Sequence, residues 1–444
     1  MFLFLVEAFR ISRWKFMKIL LESFGCSTNR ADGSTLAGCL ASAGHEMVES
    51  ERDADLVIFN TCAVKGPTEN RAIDACKRVR GDKKLIVAGC LPLVNFERLQ
   101  KHVRFDAVVG PAAGEYIVEL VERVGKGERI VALQHSMDFK PPLSLPRIEA
   151  NPVVSVVPVC YGCLGSCSYC CVVFARGRLR SYPVQEIVER VRADVNAGFR
   201  EFWLTAQDMG CYGRDIQTDL AQLLDEICNV YGDFRVRVGM MTPNRIINAL
   251  DKLVEVYANE KIFKFMHLPV QSGNDVVLKQ MHRLYSVGDF GAIVERVRKS
   301  LPELTLATDV ICGFPGEDDD AFEDTLNLIA EVKPDIVNVS KFFARPKTPA
   351  AEMKNVIPSS EIKRRSSMVT ALVKEISFER NRRWLGWKGE ILVDEIGKIP
   401  GSMVGRNFAF KPIAINGASE LLGKAITVRV VKAFPTYLAG DVLQ

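Results

Sequence analysis

Three consecutive patterns predict an α/β protein of three domains: an open parallel α/β sheet, a partial (β/α)6 barrel and a small β-barrel. Residues 18–135 alternate strand-like and helix-like runs, six further strand–helix units follow from Val153, and residues 387–444 switch to short strands and turns. A chain of 444 residues can bury about three such cores. The expected domains are 17–135, 149–383 and 384–444.

Composition narrows the class. Apolar residues make up 48% of the chain and charged residues 25%, which is ordinary for a globular protein. No apolar run is long enough to span a bilayer, so no membrane partner is expected. The 13 cysteines come without a secretory signal, which disfavours a disulfide-stapled scaffold and points to a reducing, cytoplasmic location. The opening Met1-Phe-Leu-Phe-Leu-Val-Glu7 lacks a preceding basic region and a cleavage site. Met17 is the expected native start, because Lys18-Ile-Leu-Leu-Glu-Ser-Phe-Gly25 is the first credible strand. The net charge of +4 is confined to the tail: residues 381–444 carry nine Lys/Arg against five Asp/Glu, and the remainder balances. A basic C-terminal domain is a weak pointer to nucleic acid, with Arg382, Arg383, Lys388, Arg406, Lys411 and Arg429 as candidate contacts.

In the first block, strands are expected at Ile19–Phe24, Leu56–Asn60, Leu85–Ala88 and Ala107–Val109. Helices between them include Ala31–Ala43, Asn70–Arg78 and Phe96–His102. Cys26, Cys62 and Cys90 each fall one or two residues past a strand. Parallel strands end on one edge, so the three thiols are expected to face one crevice. Cys39 and Cys76 fall inside helices and read as small core hydrophobes.

A Pro-rich linker, Pro141-Pro142-Leu-Ser-Leu-Pro146, leads to the second block. There the run Val153–Val159 reads as a buried strand, followed by Cys160-Tyr-Gly-Cys163-Leu-Gly-Ser-Cys167-Ser-Tyr-Cys170-Cys171. Thiolates so crowded repel one another unless a metal takes up the charge. Zinc folds usually separate two Cys-x2-Cys pairs by roughly 12–20 residues, whereas here only three intervene. An iron–sulfur cluster tolerates this spacing, because its irons lie close together. Further strands are expected at Glu201–Leu204, Arg235–Met240, Phe263–Leu268, Thr305–Ile311 and Ile336–Phe342. Polar residues gather just past them, where such folds build their sites: Gln207-Asp208, Gln271-Ser272 and Arg345. Cys211, Cys228 and Cys312 match no ligand pattern and read as packing. The tail offers strands at Gly389–Val393, Ala409–Ile415, Ala425–Lys432 and Tyr437–Val442.

Cys163-x3-Cys167-x2-Cys170, with Tyr169 before the third thiol, resembles the radical S-adenosylmethionine (SAM) signature. Cys26-x2-Asn29-x2-Asp32, Asn60-Thr61-Cys62 and Ala88-Gly89-Cys90 resemble the N-terminal domain of the radical-SAM methylthiotransferases. The resemblance continues through Leu268–Gly273, Asp309–Gly316 and Phe343-Ala-Arg345-Pro346, and the tail resembles a TRAM domain. It implies two [4Fe-4S] clusters: a SAM-cleaving one on Cys163, Cys167 and Cys170, and an auxiliary one on Cys26, Cys62 and Cys90. It also implies two SAM molecules per turnover, one the methyl donor and one the radical source. Tyr169, Gln207, Asp208, Gln271, Ser272, Asp309 and Arg345 are the expected SAM or substrate contacts, though such loop residues serve equally as caps. Cys160 and Cys171 are extra to the pattern, and Lys347 stands where the family usually shows glycine.

Ala175-Arg176-Gly177, Ser181-Tyr182-Pro183 and Gly239–Pro243 look closest to the archaeal and eukaryotic branch. That branch acts on N6-threonylcarbamoyladenosine beside the tRNA anticodon, and an anticodon loop offers splayed bases to a basic β-barrel. The rival substrates are isopentenyl-adenosine in tRNA and a ribosomal-protein aspartate. A non-enzymatic iron–sulfur carrier docking on RNA is the alternative of a different class. The enzymatic reading requires an electron donor such as a flavodoxin or ferredoxin, and a sulfur donor.

Overall fold

The computed structural model describes residues 16–64, 66–134 and 139–443. Residues 1–15, and position 135 at the expected end of the first domain, lie outside the described set.

The N-terminal sheet contains β1 (Lys18–Ser23), β2 (Glu46–Val48), β3 (Leu56–Thr61), β4 (Lys84–Gly89), β5 (Ala107–Val109) and β6 (Ile130–Ala132). All pair in parallel, in the order β2-β1-β3-β4-β5-β6. β3 is buried at every position, because helices cover both faces of a parallel sheet. The order reverses between β1 and β3, and a doubly wound sheet opens its ligand crevice at such a switch point. Two strands of three residues, β2 and β6, and the helix Tyr116–Gly125 add to the predicted elements.

The central domain begins with β7 (Val154–Pro158) and a hairpin pair, β8 (Cys160–Tyr161) and β9 (Arg180–Ser181), that brackets the cysteine loop. Five further parallel strands follow: β10 (Glu201–Thr205), β11 (Arg235–Val238), β12 (Phe265–His267), β13 (Thr305–Cys312) and β14 (Ile336–Lys341). They form two three-stranded sheets, joined by a single parallel bridge from Val236 to Ile262. The six strands run in chain order as an open partial barrel, and the helix Ser359–Arg382 packs along the last of them.

The tail closes on itself as a five-stranded barrel of β15 (Lys388–Ile396), β16 (Ser402–Arg406), β17 (Pro412–Asn416), β18 (Ala425–Ala433) and β19 (Leu438–Val442). β16 is the strand the sequence did not announce. It supplies the pairing between β15 and β17 without which the sheet could not close.

The three domains meet around Trp203, on the inner face of β10. The Arg30 guanidinium of the first domain lies 5.5 Å from its ring, Arg237 of β11 lies 5.3 Å away, and Phe410 of the tail meets it edge-on. Phe410 also packs against Phe263 and Phe265, so the tail seals the barrel at the N-terminal ends of its strands. A cleft of about 270 Å³ at this seam is lined by Arg200, Arg235, Trp387 and Arg406, at the end of the strands opposite the cysteine loop.

Two of the expected RNA contacts are engaged within the protein, Lys411 across the seam and Arg406 inside the tail. Lys411 is buried, its Nζ 2.9 Å from Asp335 Oδ1 and 3.0 Å from Asn381 Oδ1. Burial opposes the charge on Asp335, yet Lys411 and Arg380 hold its pKa below the ordinary carboxylate value. Arg406 pairs with Asp394 at 3.1 Å and stacks on Phe410. Arg382, Arg383, Lys388 and Arg429 remain exposed. The linker is not a loose tether either. Lys140 Nζ donates to Ser181 O at 2.7 Å, and Arg147 pairs with Glu149 and Asp194.

Candidate active site

Strand register brings the first thiol set together. Ser23 pairs with Asn60 and Asn60 with Ala88, so Cys26, Cys62 and Cys90 leave three adjacent strands on one edge, at the switch point. Two glycines permit the close approach. A Cβ on Gly25 (φ +98°) would lie 2.5 Å from Cys62 Sγ, and one on Gly89 (φ +95°) would lie 2.3 Å from Thr61 O. Cys26 is exposed, at the N-terminus of the helix Ser27–Ser42, while Cys62 and Cys90 are buried. Burial, and next the neighbouring Cys26, push the Cys62 thiol up; burial pushes Cys90 to about 12. Three thiols crowded in this way favour a centre that takes their protons away.

The second set lies on the loop between β8 and β9, held by a segment more than a hundred residues away. Ser168 N donates to Met281 O at 3.1 Å, Ser168 Oγ to Gln280 O at 2.8 Å, and Arg283 Nη1 to Cys167 Sγ at 3.2 Å. Arg245 Nη2 reaches Leu164 O at 3.2 Å. Cys163 accepts from Gly165 N at 3.2 Å and lies against Cys211, whose thiol pushes the Cys163 pKa down to about 7. Sequence reasoning assigned Cys211 to packing and passed over Arg283 entirely. Among the described residues, the one trio of donor atoms within 4.8 Å of one another is Cys163, Asp208 and Cys211.

The expected contact residues divide by what they already bind. Asp208 is fully engaged: Oδ1 accepts from Gly210 N and Thr242 N, each at 3.0 Å, and Oδ2 from Cys211 Sγ at 3.3 Å. Ser272 is buried beside Thr325 and accepts from Asn274 N. Asp309 forms a polar rung across β12, β13 and β14, with His267 Nε2 at 3.0 Å and Asn338 Nδ2 at 2.7 Å. Tyr169 packs edge-on against Phe314. Gln207 and Gln271 each bury a side-chain oxygen without a protein partner, and Gln271 holds a strained φ of +73°. Unmatched buried acceptors are rare, and at the mouth of a barrel they suit the donors of a polar ligand.

Arg345 points back into the first domain. It is 2% exposed, forms an ion pair with Glu69 of the helix Gly66–Arg78, and stacks 4.8 Å from the Phe343 ring, leaving Nε and Nη2 buried without partners. Removing one partner of so buried a pair costs about 3–5 kcal/mol. Lys347 holds the left-handed conformation (φ +64°) that glycine adopts freely, so the loop keeps a glycine-like shape with a lysine in it. A second interdomain pair, Arg176 with Asp32 at 2.6 Å, lies beside the first thiol set.

The donor chemistry fits two iron–sulfur centres. Each set offers three soft thiols, and thiols gripping separate irons of one cube stand further apart than the ligands of a single ion. Three thiols on a loop at the strand ends of an open barrel, beside the unpartnered oxygens of Gln207 and Gln271, are the arrangement of a radical-SAM enzyme. Residues 157–329 match the Radical SAM superfamily, residues 18–110 the Uncharacterized protein family UPF0004, and residues 382–443 the TRAM domain. The chain belongs to the threonylcarbamoyladenosine tRNA methylthiotransferase family. It is 41% identical over 432 residues to a probable threonylcarbamoyladenosine tRNA methylthiotransferase of Pyrococcus abyssi, covering 96% of this chain and 100% of that one. The Xenopus laevis threonylcarbamoyladenosine tRNA methylthiotransferase is 34% identical over 434 residues, 96% and 77% of the two chains. In fold, the chain is similar to the radical S-adenosylmethionine methyltransferase TsrM of Kitasatospora setae, with a TM-score of 0.54, 15% identity and 75% of each chain covered. No described helix is long and apolar enough to cross a membrane.

Proposed function

We propose that this chain converts N6-threonylcarbamoyladenosine beside the anticodon of tRNA to its 2-methylthio derivative. In this reading Cys163, Cys167 and Cys170 hold a SAM-cleaving [4Fe-4S] cluster in domain 149–383. Cys26, Cys62 and Cys90 hold an auxiliary one in domain 17–135. The observation that carries it is a second thiol triad, at the switch point of a second sheet, clamped to the first by the Arg176–Asp32 and Arg345–Glu69 pairs. When bound, the clusters and SAM supply one-electron reduction, hydrogen abstraction and a methylthio group. The protein's part is placement. Gln207 and Gln271 present free acceptors to the ligand, Arg283 holds the Cys167 sulfur, and the His267–Asp309–Asn338 rung orients polar groups inside the barrel. The reaction needs an electron donor such as a flavodoxin or ferredoxin, and a sulfur donor, both acting in the cytoplasm.

Mass spectrometry of tRNA nucleosides tests the substrate. Cells lacking the chain should accumulate threonylcarbamoyladenosine, and re-expression should restore its 2-methylthio form. Restoration of the 2-methylthio isopentenyl form alone would transfer the reading to the rival substrate.

Domain 384–444 is the proposed RNA grip, together with Arg382 and Arg383 just ahead of it; four of the six expected contacts are exposed. Replacing Arg382, Arg383, Lys388 and Arg429 together by Ala should weaken tRNA binding. Each lost phosphate contact should flatten the slope of log K against log salt by about 0.7. The reacting base is held elsewhere, so KM for tRNA should rise more than kcat falls. An unchanged affinity and slope would make the domain a structural cap.

A further inference from the structure

Arg176 gives the Cys26-x2-Asn29-x2-Asp32 spacing a physical meaning. Asn29 and Asp32 follow Cys26 on successive turns of one helix. Asn29 Nδ2 donates to Phe24 O at 2.7 Å and Asn60 O at 2.9 Å, and Asn60 Nδ2 returns a bond to Asn29 O at 2.6 Å. That exchange ties together the ends of β1 and β3, which carry Cys26 and Cys62. Asn29 Oδ1 is left for Arg176 Nη2 at 3.3 Å. Asp32 divides its carboxylate between the domains' two contacts: Oδ2 takes Arg176 Nη2 at 2.6 Å, and Oδ1 takes the Tyr161 hydroxyl at 2.6 Å. Tyr161 lies on β8, and Arg176 ends the short helix Val172–Arg176 in the segment between β8 and β9 that carries the other thiol set.

The second nitrogen of the fork has no such explanation. Arg176 is 3% exposed, and its Nη1 is buried with no hydrogen-bond partner. A buried guanidinium donor is rarely left unmatched, because desolvating it without an acceptor is expensive. Arg176 reaches the triad through Asn29, whose amide is bonded to the ends of the strands that carry Cys26 and Cys62. An anionic sulfur at that triad is the acceptor the geometry lacks.

We propose that Arg176 is a positioning residue for the auxiliary cluster, its free Nη1 directed at the cluster's anionic sulfur while Asp32 and Asn29 hold Nη2. The radical-SAM domain then supplies the cation against which the other domain's cluster is charged. This rests on the assignment of Cys26, Cys62 and Cys90 as cluster ligands. A nearby positive charge favours the more negative, reduced state of a cluster, and a nearby carboxylate opposes it.

The test uses the full chain carrying Cys163→Ala, Cys167→Ala and Cys170→Ala, reconstituted anaerobically so that only the auxiliary cluster is present. Its iron content checks the underlying assignment, and an iron-free protein would overturn that assignment and this proposal with it. Redox titration followed by electron paramagnetic resonance then reads the midpoint potential. Arg176→Gln should make one-electron reduction about tenfold less favourable, a shift of about 59 mV to more negative potential. Asp32→Asn should move it the opposite way, and Arg176→Lys should stay near the parent. A purely structural ion pair predicts shifts of the same sign, or none, in Arg176→Gln and Asp32→Asn, and either result would overturn the proposal. If Arg176→Gln does not fold, the Asp32→Asn and Arg176→Lys pair decides: a positive shift in the first with none in the second supports it, and equal potentials sink it.

Discussion

Replacing Cys26, Cys62 and Cys90 together by alanine is expected to abolish methylthiolation of tRNA while 5′-deoxyadenosine continues to form from SAM. The three thiols sit at the ends of β1, β3 and β4, in a sheet that shares no strand with the barrel. Their loss leaves the Cys163–Cys170 loop and its clamp from Gln280–Arg283 in place. Iron should fall from about eight to about four per chain, since one of two four-iron cubes is lost. The expected drop in product is complete rather than partial, because the sulfur has no other centre to sit on. Methylthiolated nucleoside from this variant would contradict the assignment. Stoichiometric zinc in the wild-type chain, with no visible absorbance, would contradict both cluster assignments at once.

Cys163→Ala should have the converse signature: no 5′-deoxyadenosine at all, with about four irons retained on the auxiliary set. Cys163 is the thiol with the most local support, since it accepts from Gly165 N and lies against Cys211. A Cys211→Ser control separates ligand from neighbour. It leaves the Cys163-x3-Cys167-x2-Cys170 set intact, so iron content and SAM cleavage should both survive. Loss of a whole cluster in Cys211→Ser would make Cys211 a ligand in place of the expected third thiol. The comparison is read as iron per chain alongside the absorbance of the reconstituted protein.

Both thiol sets were legible in the sequence because each depends on local information: an apolar run that must be a strand, with cysteine in the loop that follows it. Element type was legible for the same reason, down to the helix Phe96–His102. What escaped was set by distant partners. Arg283 reaches Cys167 across 116 positions and Arg345 reaches Glu69 across 276, and no periodicity encodes such meetings. Arg345 was expected at the ligand, and the structure uses it to lock the domains. Lys411 carries the same lesson with opposite sign. Its charge counted toward a basic RNA surface, but it is buried against Asp335. β16 was missed because Ser402-Met-Val-Gly-Arg406 has only two apolar residues beside a glycine, and it becomes a strand through its neighbours on both sides.

The Phe410 plug also bears on how the chain is made. The barrel's last strand, β14, ends at Lys341, and Phe410 follows about 70 residues later, which at about 5–20 residues per second is several seconds of synthesis. During that interval Trp203, Phe263, Phe265 and the Arg237 guanidinium form an uncovered floor. Exposed aromatic surface of this kind is what draws nascent chains into aggregates. The tail is therefore a late-arriving stopper on a domain already on its way to the folded state. Chains terminated between Lys341 and Phe410 should need a chaperone to stay in solution, whatever their tRNA-binding properties.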